Sequence, residues 1–161
     1  MPFPYTTFQI QEIVKSAKAL RRPELLQDGK PIPFYNYEGG SKRLDLDLDI
    51  VGQPSILALR FHVRGPIVDN PDTYEAALIL ANERVRGIGW EATGKTRLYG
   101  RQVIPKGWHQ NVLDPNLPKG HSDINRHLPL DNFHPTDLTD FFVKAAELWH
   151  IDLAIEKGLF T

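Results

Sequence analysis

Lys42-Arg-Leu-Asp-Leu-Asp-Leu-Asp-Ile50 alternates without a slip, with Leu44, Leu46, Leu48 and Ile50 on one side of an extended chain and Asp45, Asp47 and Asp49 on the other. A second run, Leu57-Ala-Leu-Arg-Phe-His-Val-Arg64, alternates in the same way: Leu57, Leu59, Phe61 and Val63 oppose Ala58, Arg60, His62 and Arg64. Antiparallel pairing with Leu48 opposite Leu59 matches every apolar pair and sets Asp47 beside Arg60 and Asp45 beside His62. Opposite charges facing each other across a strand pair contribute about 0.2–1 kcal/mol each. The aspartates therefore read as the outer face of a hairpin. A hard-cation site would need carboxylates converging from a bent loop.

Working outward, the N-terminal region predicts a helix from Thr6 to the residue before Pro23. Thr6 and Gln9 have capping-box spacing, Tyr5 and Ile10 the spacing of a hydrophobic staple, and Ile10, Ile13, Val14, Ala17 and Leu20 one buried stripe. Lys15, Lys18, Arg21 and Arg22 fall off that stripe and are expected to be a solvated basic flank. Pro33 to Tyr37 is expected to be an edge strand, because Pro31 and Pro33 exclude a central position. Tyr74 to Ala81 and Arg84 to Glu91 predict a second hairpin about Asn82-Glu83. Its outer face would carry Ile79, Ile88 and Trp90, too apolar to be left wet, so a helix or a partner is expected to cover it, a homodimer through those residues being one such arrangement. A fifth strand is expected from Thr96 to Ile104, and a long His/Pro-rich loop over residues 105–135. Pro135-Thr-Asp-Leu138 then opens a C-terminal helix capped by Thr136 or Asp137, with Leu138, Phe141, Phe142, Ala145, Leu148 and Trp149 on one face. The expectation is one α+β domain over residues 1–161: an antiparallel sheet of about five strands with the N-terminal and C-terminal helices packed on it.

The 161 residues carry a net charge of -1, so no global field draws the chain to nucleic acid or an anionic membrane, and anion recognition must come from a local patch. There is no cysteine, which excludes disulfides, thiolate zinc sites and a cysteine nucleophile. No apolar run approaches the ~20 residues that span a bilayer, and no signal-peptide pattern opens the chain. A cytoplasmic protein is expected, with no membrane partner.

Four of the six histidines, His109, His121, His127 and His134, lie between Lys106 and His134. His121, Asp123 and His127 match no zinc spacing that has a mechanical basis, so no metal and no cofactor is expected. Gly94-Lys95-Thr96 lacks the upstream glycine of a phosphate loop, and no Gly-rich turn opens a helix, which argues against nucleotide binding. Metal-independent phosphodiester chemistry is the sharper enzymatic expectation. His109 and His127 would move protons, Arg126 and Arg101 would hold phosphate oxygens, and Asp123 would orient an imidazole. The competing expectation is a binding module that recognises a protein or RNA partner through a sheet edge and this loop. Its candidate contacts are Trp108, Arg101, Tyr99, Lys106 and His121, since aromatics interleaved with cations stack and neutralise single-stranded RNA.

From Leu57 to Leu153 the order of elements resembles that of small TumE-like proteins from bacterial toxin–antitoxin loci. The resemblance lies in strands ending in a His-containing extended piece, then Leu128-Pro-Leu130, Phe133-His-Pro-Thr-Asp-Leu138 and a final helix. It is one of pattern and carries no catalytic residue across, and the N-terminal helix and aspartate hairpin lie outside it. It implies a toxin, or a relative of one, that acts on RNA or another cellular target. The leading expectation is a small binding protein, with an RNA-cleaving enzyme second.

Overall fold

In the computed structural model the two alternating runs pair in the register their pattern dictates: Leu48 lies opposite Leu59, Asp47 opposite Arg60 and Asp45 opposite His62. The structure describes residues 3–21, 26–27, 30–31, 35–37, 41–53, 58–66, 74–91, 95–96, 103–118, 120–121 and 124–153. In chain order these form α1 (Thr7–Lys15), β1 (Lys18–Leu20), β2 (Leu26–Gln27), β3 (Lys30–Pro31), β4 (Tyr35–Tyr37), β5 (Ser41–Ile50), β6 (Leu59–Pro66), β7 (Glu75–Leu80) and β8 (Glu83–Glu91). There follow β9 (Lys95–Thr96), β10 (Val103–Ile104), β11 (Gly107–Leu113), β12 (Asn125–Pro129), α2 (Leu138–Leu148) and β13 (Ile151–Asp152).

The α+β class holds, but the sheet is larger than five strands. Among the described residues nine strands join in the order β12-β11-β8-β7-β6-β5-β1-β13, with β4 also paired to β5. All these pairings are antiparallel except β1 with β13. The extra strands come from segments expected to be something else. Residues 105–135 are not one long loop, because β11 and β12 pair as a hairpin from His109↔Pro129 to Leu113↔Asn125. Of the expected strand over Thr96–Ile104, residues 97–102 lie outside the described residues; β9 and β10, at its two ends, pair with each other in a separate ribbon.

The first helix stops at Lys15, several residues before the proline. Its capping box forms, with Thr6 Oγ1 accepting from the Gln9 N–H at 3.1 Å and Gln9 Oε1 from the Thr6 N–H at 2.8 Å. Thr6→Ala is expected to cost about 1 kcal/mol in a chemical unfolding measurement, the usual worth of such a cap. Ser16 then turns extended and β1 begins. Within it Lys18 is fully buried rather than solvated. Its ammonium donates to Val14 O (2.7 Å), Ser16 O (2.9 Å) and Trp149 O (2.7 Å), acceptors at the C-terminal ends of both helices.

A β-bulge rewrites the second hairpin. The two-residue turn is Ala81-Asn82, both at positive φ (49° and 65°), as a mirror-image hairpin turn requires. Leu80 pairs with Glu83 and Ile79 with Arg84, but Leu78 pairs with Arg86, so Val85 is the extra residue. The alternation slips by one from there on. Ile88 lands in the core, 1% exposed, while Ile79 stays on the opposite face among charged side chains. The apolar face expected to carry Ile79, Ile88 and Trp90 together is therefore not formed, and the homodimer argued from it loses its basis.

The core lies on the face bearing Leu44, Leu46, Leu48, Leu59, Phe61, Val63, Ala76 and Leu78, against Ile10 and Ile13 of α1 and Phe141, Phe142 and Ala145 of α2. Asp137 caps α2, accepting from the Asp140 N–H at 2.7 Å. Phe142 stacks on Phe61 with ring centres 5.6 Å apart. Among the described residues no helix is long and apolar enough to cross a membrane.

Candidate functional site

Both helices pack on one face of the sheet, so the side chains of the opposite face decide what the protein can contact. A single registered row crosses that face: Asp45↔His62↔Ala77↔Gly87↔Asn111↔His127. Neighbouring strands are ~4.8 Å apart, so His62 and His127, four strands from each other, are roughly 19 Å apart. They belong to different places on the face.

The first place is a shallow cleft of about 420 Å³ over β5 to β8. Arg43, Arg60, Arg64 and Arg84 line it with Asp45, Glu75, His62 and Ile79, an excess of two positive charges with the imidazole neutral. Both carboxylates are shared. Asp45 accepts from Arg43 Nε and from His62 Nδ1, each at 2.7 Å, and Glu75 binds Arg64 (2.8 Å) and Arg84 (2.6 Å). Burial alone would raise the Asp45 carboxyl, but the hydrogen bonds from Arg43 and His62 outweigh it and hold the group below its ordinary range. Burial likewise opposes ionisation of Glu75, and the charges of Arg84 and Arg64 overcome it. Arg60 is different. Asp47 stands opposite it, yet among the described residues the two form no ion pair, which leaves the Arg60 guanidinium in the cleft without a carboxylate.

The second place is the histidine pair anticipated from sequence. His109 and His127 do meet, edge to face, with ring centres 5.5 Å apart. His109 is 6% exposed, and its Nδ1 lies 3.3 Å from Gly107 O, to which it donates. Burial lowers its pKa below the ordinary histidine value, against the Gly107 hydrogen bond and the Glu91 charge, and so favours the neutral ring. It rests on Gly89, where a Cβ would come 3.5 Å from Nε2.

The other anticipated residues do not converge on this pair. Arg126 precedes His127 on a strand and so projects to the opposite face, where it is exposed. Lys106 is exposed ahead of β11, and His121 lies in the connection between β11 and β12, its N–H donating to Pro118 O at 3.0 Å. Trp108 belongs with the core, its ring 5.3 Å from Phe141 and 5.4 Å from Phe133. Tyr99, Arg101 and Asp123 lie outside the described residues. Among the described residues no group of three metal-binding side chains occurs. No protein-family model, curated protein or solved structure matches the chain.

Another cleft among the described residues, about 270 Å³ between Phe3-Pro4 and the β11–β12 connection, is lined by neither histidine nor arginine. Of these two clefts among the described residues, the one over β5 to β8 gathers most of the charged side chains, and it lies outside the candidate residues expected from sequence. Its signal was present: Arg60, His62 and Arg64 alternate opposite Arg43 and Asp45. Those residues are also what an ordinary solvated hairpin face contains, and only the adjoining β7 and β8, with Glu75 and Arg84, turn the face into a cleft.

Proposed function

We propose that this protein binds single-stranded RNA across the open face of its sheet, with the arginine cleft on the phosphates. The observation that carries the reading is Arg60, a cation held among three other arginines and in no ion pair among the described residues. Arginine on a flat surface suits phosphate, because its planar fork meets two oxygens at once. A sheet face accepts an extended strand without distorting it. The near-zero net charge agrees with a local patch rather than a general polyanion surface. A protein-docking loop built on Trp108 has less support, since that ring packs with Phe133 and Phe141.

Fluorescence anisotropy with a labelled oligoribonucleotide tests the reading. Affinity should fall with salt, each phosphate neutralised adding about -0.7 to the slope of log K against log salt. Arg60→Ala should weaken binding about five- to tenfold, the worth of one screened charge-assisted contact, and flatten that slope by one such step. Its melting temperature should stay unchanged, because Arg60 holds no ion pair among the described residues. Binding that ignores both salt and Arg60, or that is stronger for an acidic peptide than for RNA, overturns the proposal.

A further inference from the structure

Binding alone leaves His62 without a role. It is 9% exposed, and Asp45 already has Arg43 as a partner, so a cross-strand charge pair here does not need the imidazole. Yet His62 Nδ1 sits 2.7 Å from Asp45 Oδ1. A carboxylate in that position accepts the Nδ1 proton and leaves the lone pair on Nε2, which makes no hydrogen bond among the described residues. The same cleft is lined by Arg60, two residues from His62 on the same strand and therefore on the same face.

We propose, resting on the RNA-binding reading above, that His62 is the general base of a metal-independent RNA transesterification on this face. His62 Nε2 takes the proton of a ribose 2′-hydroxyl. The O2′ attacks the adjacent phosphorus, an O2′–P bond forms and the P–O5′ bond breaks. The departing O5′ takes a proton from water, and the hydroxide so formed recovers the proton from the imidazolium. The products are a 2′,3′-cyclic phosphate and a free 5′-hydroxyl, with no net uptake of protons and no co-reactant. Arg60 neutralises the non-bridging oxygens as charge builds on them. Asp45 stays ionised and acts as a positioning residue that fixes the ring and its tautomer. The His109–His127 pair, three and four strands away, takes no part in this step.

The experiment uses the whole purified chain with one labelled RNA and its fully 2′-O-methylated copy, assaying binding and cleavage together with and without chelator. Both strands should bind, only the RNA should be cut, its new ends should be a cyclic phosphate and a 5′-hydroxyl, and chelator should change nothing. His62→Gln, which keeps an amide in place of the ring, should retain binding and its melting temperature while slowing cleavage about a hundred- to a thousandfold. Asp45→Asn should lower kcat and leave KM in place, and added imidazole should restore part of the activity of His62→Ala. Bound but uncut RNA overturns the catalytic inference and leaves the binding reading standing. Absence of binding to either strand overturns both. Cleavage that persists unchanged in His62→Gln, or that chelator abolishes, also overturns the inference.

Discussion

Trp149→Ala is expected to lower the unfolding free energy by about 3–5 kcal/mol, as loss of a large buried aromatic does. The ring is fully buried at the C-terminal cap of α2 and meets Phe61 of β6 edge-on at 5.9 Å. Its Nε1 donates to Gln110 Oε1 of β11 at 2.9 Å, so one side chain ties the helix to two strands. Alanine removes the packed volume and strands a partly buried amide, and the two costs add. Trp149→Phe separates them: it keeps most of the ring contact and should cost about 1–3 kcal/mol, mainly the orphaned Gln110. Urea denaturation measures both. A loss below about 1 kcal/mol for the alanine variant would mean that α2 is not seated on β6 and β11 as described.

Lys18→Met should cost about 2–4 kcal/mol at neutral pH, because three carbonyls at the ends of two helices lose a buried side-chain donor at once. The pH dependence gives this residue its own signature. Burial pushes the Lys18 ammonium from its ordinary 10.5 down to about 8. Between those values the unfolded chain holds a proton that the folded chain has released, so stability from this group rises with pH through that window. The penalty is fully present below pH 8 and relieved above pH 10.5. Its full size is on the order of 3 kcal/mol. Denaturation curves at pH 7.5 and pH 9.5 should show the wild type gaining relative to Lys18→Met. Equal changes in both proteins would place the ammonium in water.

What the sequence discloses depends on whether a segment's partners are local. The aspartate hairpin is legible because its alternation is unbroken and each charge faces one of opposite sign or a histidine. The last helix is legible from Asp137 and its apolar stripe. β11 is hidden because its core-facing row, Trp108-x-Gln110-x-Val112, holds an amide whose partner, Trp149, is distant in sequence. β1 is hidden for the same reason, since a lysine belongs in the interior only when two distant helix ends supply its acceptors. The bulge at Val85 leaves no mark beyond the glycines that follow it, and one added residue exchanges the two faces of a strand. In the candidate site, the meeting of His109 and His127 could be anticipated from residue type. The cleft around His62 needed four strands in register before its charges acquired a common direction.

The parallel partner of Lys18 is Ile151, which means the first strand of the sheet waits for the last. A chain leaving the ribosome can form the β5–β6 and β7–β8 hairpins as each is made. The border beyond β5 stays incomplete until β13 emerges, so its closure follows that of the hairpins and is a step of high contact order with correspondingly slow kinetics. Until then the exposed rim of β1 offers its backbone to any extended neighbour.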